Sequence, residues 1–239
     1  LESTRRDFLG TAAAGSLAVS GAHAFAQEKK KIRLGVIGVG WYGMVDAKAA
    51  LKVGGAEITA ICDVDSEHLK MSADELAALQ GKRPKEFNLY DEMLDAGNMD
   101  AIIIGTPPHW HALQLIASLK KGYDIYCEKP LAYDIREGRA MVDEVKASDR
   151  IVQIGFQRRQ SNTFKQVKEA VDNGLIGDVV QVDAQIHYNA GTKNPSPVPP
   201  PASLDWDLWC GPGPEIPYSE QVGHKSWRLE KTTGHGHLV

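Results

Sequence analysis

The stretch from Ile32 to Asp65 leaves this chain few folds to choose from. Ile32 to Ile37 is an apolar run long enough for one buried strand, and Gly38, Gly40 and Gly43 follow it in G-x-G-x-x-G spacing. Met44, Ala47 and Leu51 then recur at helical intervals. Ile58 to Cys62 is a second apolar run, closed by Asp63. Each part has a mechanical reason. The first glycine permits the tight turn out of the strand, the second lets backbone approach a pyrophosphate, and the third lets the helix pack closely on the strand. The helix start offers unpaired N–H groups and a positive dipole end to phosphates. An acid at the end of the second strand, twenty residues after Gly43, accepts hydrogen bonds from an adenosine ribose. The strand–turn–helix–strand order therefore reads as a dinucleotide site. Gly38, Gly40, Gly43 and Asp63 are its cofactor-binding residues, with Trp41 and Tyr42 in the same turn. The alternative is a glycine-rich structural turn in another α/β fold.

The pattern continues as alternating strands and helices. Ser66 is placed to cap a helix whose apolar face holds Leu69, Ala73, Leu76 and Leu79, broken by Gly81-Lys82-Arg83-Pro84. Phe87 to Tyr90 reads as a short third strand. Ala101 to Ile104 reads as a buried strand ended by Thr106-Pro107-Pro108, and Trp110, Leu113, Ile116 and Ala117 line the next helix. Asp124 to Cys127 is a further strand, followed at once by Glu128-Lys129-Pro130. In open parallel sheets ligands bind beyond the carboxyl ends of the strands, so Lys129 stands at a crevice where its ammonium can polarise a hydroxyl or carbonyl. Taken alone, it reads as a surface lysine beside a turn.

Composition narrows the classes. The chain has 239 residues and a formal net charge of −4, which argues against the basic surface of a nucleic-acid binder. No apolar run is long enough to span a bilayer. Cys62, Cys127 and Cys210 make no disulfide framework, the first two read as core residues at strand ends, and no cluster has the spacing of a metal site.

Ser3-Thr4-Arg5-Arg6-Asp7-Phe8-Leu9 carries a twin arginine. A mild apolar stretch follows to about Val19, then a small-x-small site at Ala24-Phe25-Ala26. Residues 1–26 therefore read as a twin-arginine export signal, and the destination as the periplasm or another extracytoplasmic space. A frayed helix containing Arg-Arg is the alternative. An exported dinucleotide protein has no ready pool of free cofactor, so it is expected to hold its nucleotide tightly. The first residue is Leu rather than Met, and the expectation is a fragment at both ends.

Gly-Val-Ile-Gly-Val-Gly-Trp-Tyr-Gly, Cys-Asp-Val-Asp, Gly-Thr-Pro-Pro-His-Trp-His and Cys-Glu-Lys-Pro-Leu-Ala, in this order, resemble the glucose–fructose oxidoreductase / inositol dehydrogenase / rhizopine catabolism (Gfo/Idh/MocA) family over about residues 31 to 239. The resemblance implies a Rossmann NAD(P)-binding domain over residues 31–154, then an α+β domain with a mainly antiparallel sheet over 155–239. It implies an oxidoreductase passing hydride between a nicotinamide and a sugar, cyclitol or related polyol. Lys129 resembles the family lysine that contacts nicotinamide and substrate, and Glu128 precedes it in the same motif. Thr106 and Pro107 resemble the turn lining the nicotinamide, and His111 matches a recurrent family histidine. From its position alone His111 reads as a packed histidine at a helix start. Asp63 favours NAD over NADP, because a carboxylate repels a 2′-phosphate.

Past Ile151 to Ile154, expected as the last strand of the first domain, Gly155-Phe-Gln-Arg-Arg is similar to a family junction. Arg159 there either faces substrate or cofactor or is a solvated structural arginine. Asp134 and Glu137 form a capping pattern for a helix to about Ser148. Phe164, Val167 and Val171 give a later helix an apolar stripe. Val180, Val182, Ala184, Ile186 and Tyr188 alternate with Gln181, Asp183, Gln185 and His187, as in a strand of an antiparallel sheet. Family members associate through such a sheet, which implies a homo-oligomer. Asn189 to Leu204 holds prolines 195, 197, 199, 200 and 201 and reads as an extended loop. Trp206 and Trp209 either pack or offer a ring to a sugar. Gly234-His-Gly-His-Leu-Val239 resembles the start of the family motif that supplies an Asp–His acid/base pair. Its Asp would be the residue after Val239, and His235 and His237 do not replace it. Two other readings remain. One is a glycoside hydrolase using bound NAD in a transient oxidation. The other is a non-catalytic nucleotide-binding protein or inactive fragment.

Overall fold

The computed structural model describes residues 30–185, 196–220, 222–223 and 227–236. The expected export signal, Ile186 to Pro195 and His237 lie outside the described residues. Two compact units divide between residues 31 and 32. Of the first, only Lys30 and Lys31 are described, and both are exposed. The second unit, 32–239, carries the fold.

Six strands build one parallel sheet: β1 Ile32–Ile37, β2 Ala56–Cys62, β3 Lys85–Phe87, β4 Ala101–Ile104, β5 Asp124–Glu128 and β6 Val152–Gly155. Their order is β3-β2-β1-β4-β5-β6. The strands are apolar on both faces because both faces are covered. Helices α1 (Tyr42–Val53) and α2 (Ser66–Gln80) close one side, burying Met44, Ala47, Leu69, Ala73 and Leu76 against Leu34, Val36, Ile58 and Ile61. Helices α3 (Tyr90–Ala96), α4 (Pro108–Lys120) and α5 (Ile135–Ala147) close the other. They set Met93, Leu94, Leu115, Leu119 and Met141 on Ile37, Ile102, Ile104 and Ile125. Gly35 in β1 is small because Met99 needs the room: a Cβ there would lie 2.3 Å from Met99 Sδ. The order in which strands are added reverses between β1 and β4, and an α/β sheet binds its ligands at such a switch point. Cys62, Cys127 and Cys210 are all free and buried.

Three expectations shift. Asp65, rather than Ser66, caps α2. Its backbone is extended and its carboxylate accepts from the N–H groups of Glu67 (2.9 Å) and His68 (3.3 Å). The Ser66 hydroxyl instead donates to the Ser203 carbonyl at 3.1 Å. The third strand is Lys85–Phe87, pairing with Ala60–Cys62. Tyr90 opens α3, because Met93 and Leu94 gain burial by turning helically into the core. Finally, the described residues show no second sheet. After β6 come a 3-10 turn (Gln157–Gln160) and α6 (Asn162–Asp172). The expected strand from Val180 is absent over 180–185, where the chain is exposed and without regular structure. A strand needs hydrogen-bonding neighbours and a layer over its apolar face. Among the described residues neither lies alongside, and Phe164 and Val167 of α6 are likewise uncovered.

The remainder returns to the first sheet. Leu204 bridges to Asp65 in antiparallel sense, and Asp205 N–H donates to the Val64 carbonyl at 3.1 Å. Helix α7 (Trp206–Cys210), capped by Asp205, stacks Trp206 on Trp209 with ring centres 4.5 Å apart and Tyr218 edge-on. Both tryptophans are buried, so packing is the reading the structure supports.

Candidate functional site

The carboxyl ends of β1, β2, β4 and β5 carry most of the residues that the sequence singles out. Gly38 leaves β1 with φ +82°, a left-handed conformation that glycine adopts without strain. Gly43 lies against the same turn: a Cβ on it would be 1.8 Å from the Gly38 carbonyl oxygen. Gly40 and Trp41 are exposed at the mouth, Trp41 meeting Tyr42 edge-on at 5.4 Å. No side chain caps α1 and no acid stands in its first turn. Helices α3 and α4 likewise lack a side-chain cap, whereas α2, α5, α6 and α7 carry one. The N–H groups at the start of α1 are thus left for an outside anion, which is the fit a pyrophosphate needs.

Asp63 ends β2 with its carboxylate turned back onto the glycine turn. Oδ2 accepts from Val39 N–H at 2.8 Å and Oδ1 from Asp65 N–H at 3.0 Å. These two bonds fix the carboxylate at the edge of the glycine turn. Two residues that sequence reading missed brace the same place. The Ser72 hydroxyl of α2 donates to the Val39 carbonyl at 2.9 Å, and Asn88 Nδ2 reaches the Asp63 carbonyl at 3.4 Å. The His68 ring stands over Gly40, with Nδ1 3.5 Å from where a Cβ would be. Nothing local in the sequence marks these contacts, which depend on α2 and β3 arriving beside the turn.

At the β4 end the Thr106 hydroxyl donates to Gln114 Oε1 at 2.6 Å, and Pro107 precedes α4. His111, fully buried, sits between two backbone carbonyls: Nε2 lies 2.8 Å from Thr106 O and Nδ1 2.8 Å from Pro130 O. Burial pushes its pKa down and favours the neutral ring, which donates to one of the two. Of the two readings of His111, the structure supports the packed one. It bridges the Thr106-Pro107 turn to the Glu128-Lys129-Pro130 turn. His109 plays a comparable part nearby, its Nε2 2.9 Å from the Trp209 carbonyl, to which Trp110 Nε1 also donates at 3.3 Å.

Lys129 follows β5 half-buried, its bond to Pro130 cis. Glu128 is buried and accepts from the Tyr126 hydroxyl at 3.2 Å and from Gln157 Nε2. Arg159 is exposed in the 3-10 turn, its guanidinium 5.0 Å from the Phe156 ring centre. Its described contact is therefore with its own turn. A groove of about 870 Å³ at the start of α5 is lined by Tyr133, Arg136, Arg139 and His235 among others, and none of the predicted site residues lines it. No group of three or more His, Cys, Asp or Glu able to hold a metal occurs among the described residues, and none of their helices is long and apolar enough to cross a membrane.

Comparison with known proteins agrees with this geometry. The family model described as GFO_IDH_MocA, an oxidoreductase family with an NAD-binding Rossmann fold, matches residues 32–156. Myo-inositol 2-dehydrogenase of Thermotoga maritima is 33% identical over 146 residues, which cover 61% of this chain and 42% of that protein. The crystal structure of myo-inositol 2-dehydrogenase from Lactobacillus plantarum superposes with a TM-score of 0.59 at 33% identity, over 63% of this chain and 44% of that one. Myo-inositol dehydrogenase from Lactobacillus casei, solved in complex with NAD(H) and myo-inositol, gives 0.56 at 26% identity, over 62% of this chain and 43% of that one. The chain thus spans less than half the length of the relatives it matches.

Proposed function

Since the chain belongs to the Gfo/Idh/MocA oxidoreductase family through its NAD-binding Rossmann domain, we propose that it binds NAD(H) and serves hydride transfer between the nicotinamide and a carbinol carbon of a cyclitol, sugar or related polyol. One observation carries the reading. The glycine turn, Asp63, the Thr106-Pro107 turn and Lys129 all stand at the carboxyl ends of strands flanking the β1/β4 switch point. Similarity to inositol dehydrogenases supports the substrate class.

The glycine turn and the uncapped start of α1 hold the pyrophosphate through backbone N–H groups. Asp63 accepts from the adenosine ribose and, by its charge, disfavours a 2′-phosphate. The bound nicotinamide supplies the hydride acceptor. The Lys129 ammonium stabilises negative charge developing on the carbinol oxygen as hydride departs. His111 acts through backbone, keeping the two turns that border the nicotinamide in register. Export by the Arg5-Arg6 segment, a substrate and oligomerisation domain over 155–239, and self-association through its sheet belong to the same proposal; they rest on sequence pattern and family likeness.

The test is direct. Protein purified from its native producer is denatured and the released nucleotide identified by mass spectrometry, and NADH formation is then followed across inositols and sugars. NAD(H) release with polyol-dependent NADH formation is expected. A protein that carries no nucleotide and binds none added defeats the reading.

A further inference from the structure

Two acids that the hydride-transfer scheme leaves idle meet where α1 passes the end of β5. Asp46 stands three residues past Gly43, and Glu128 immediately precedes Lys129. Their carboxyl groups are within hydrogen-bonding reach of each other. Glu128 is well supplied with donors. Its Oε1 accepts from the Tyr126 hydroxyl at 3.2 Å and from Gln157 Nε2, and the Lys129 backbone N–H donates to the same carboxylate. Asp46 Oδ2 is buried and meets no donor. Gly155 walls the seam: a Cβ there would lie 2.5 Å from Glu128 Oε1 and 2.6 Å from the Tyr126 hydroxyl.

Like charges in contact at a desolvated site do not both persist, so one of the two acids keeps its proton. The donors decide which. Three of them hold Glu128 as the acceptor, whereas Asp46 Oδ2 meets none, so Asp46 carries the proton and donates it to Glu128. We propose that Asp46 and Glu128 share one proton, that this proton fastens α1 behind the glycine turn to the Glu128-Lys129-Pro130 turn, and that its loss forces the two elements apart. Asp46 and Glu128 are thereby positioning residues for Lys129.

Among the described residues, the other side chains that meet the pair are neutral. Tyr126 on β5 faces the pair as a hydroxyl whose ionisation burial suppresses, and Gln157 faces it from the 3-10 turn as a neutral amide. Lys48 on α1 is paired with Glu75 of α2 at 2.9 Å, and Arg33 of β1 with Asp100 at 2.6 Å. Burial and the neighbouring Glu128 charge push Asp46 up to about 7, and burial pushes Glu128 up as well. The fastening is therefore intact in mildly acid solution and released as pH rises past neutrality.

The experiment is carbon-13 NMR of the side-chain carboxyls of the intact protein, titrated between about pH 5.5 and 8.5, a window where ordinary carboxylates are already ionised. One carboxyl titrating near neutrality is expected. It disappears in Asp46→Asn, and in Glu128→Gln the remaining Asp46 signal shifts its midpoint downward. A wild-type protein with no carboxyl titrating in that window overturns the proposal, as does a midpoint unmoved in Glu128→Gln. Circular dichroism confirms that each variant is folded. A second arm measures NAD affinity by calorimetry at both ends of the window. Wild-type affinity is expected to weaken on the alkaline side and Asp46→Asn to stay flat; equal slopes in the two overturn the link to Lys129. This arm rests on the cofactor reading. If no nucleotide binds at any pH, that reading fails and the carboxyl titration still decides the shared proton.

Discussion

Gly43 leaves no room for a side chain between itself and Gly38. The Gly38 carbonyl oxygen lies 1.8 Å from the point where a Gly43 Cβ would be, and this neighbour is backbone and cannot step aside. Gly43→Ala is therefore expected to cost about 3 kcal/mol, at the upper end of overpacking costs. It should also displace α1 from the turn. Urea unfolding with a parallel NAD titration checks both, and wild-type stability and binding in the alanine variant would contradict the geometry.

Asp63 holds the turn on which its proposed contact with the nucleotide depends, since Val39 N–H and Asp65 N–H both donate to it. Asp63→Ala should lose about 1–3 kcal/mol of stability by stranding those donors. Asp63→Asn keeps an acceptor and removes the charge. With a single oxygen it can serve one of the two N–H groups, so it is expected to lose less stability than Asp63→Ala and to narrow the preference for NAD over NADP, read as the ratio of the two dissociation constants.

His111 holds two turns through one ring. Removing it in His111→Ala leaves a buried carbonyl without its donor, at a cost of about 1–3 kcal/mol. The pH response has a definite sign. His111 and His109 are held below the ordinary histidine pKa by burial, while in the unfolded chain they take up protons near about 6.5. Below that pH the unfolded state binds more protons than the native one, so stability falls as pH drops. Denaturant midpoints measured across this range should decline on the acid side, and less steeply in His111→Gln.

The Lys129 side chain makes no described contact on which the sheet depends. Lys129→Met is expected to leave the unfolding midpoint within error and to slow NADH formation by about 100- to 1000-fold, the scale of losing one electrostatic stabiliser. A rate within a few-fold of wild type would remove Lys129 from the chemistry.

Local pattern explains what the sequence could disclose. Ile32–Ile37, the glycine spacing and Asp63 are contiguous, and their chemistry needs only neighbours in the chain. Asp134 and Glu137 likewise cap α5 reciprocally, Glu137 N–H to Asp134 and Tyr133 N–H to Glu137. Contacts that depend on elements arriving from elsewhere were not legible. Ser72 braces Val39 across 33 residues and Gln157 reaches Glu128 across 29. Asp46 reads as an ordinary helix-surface acid until β5 is placed against it. His111 was visible as a residue, but its work on Thr106 and Pro130 was not. The strand expected from Val180 shows the opposite failure, since a pattern fit for a strand gives no strand over 180–185 without partners to bond.

The return of Leu204 to Asp65 sets an order of events during synthesis. A nascent chain emerges amino end first, and the six-stranded sheet has all its strands once Gly155 is out. The rim beside Asp63 does not, because Ser203 accepts from Ser66 across 137 residues. While those residues are still being translated, the glycine turn and Asp63 are already in place, facing an open side. The newborn protein thus passes through a stage in which its nucleotide cradle is built and its outer rim is missing.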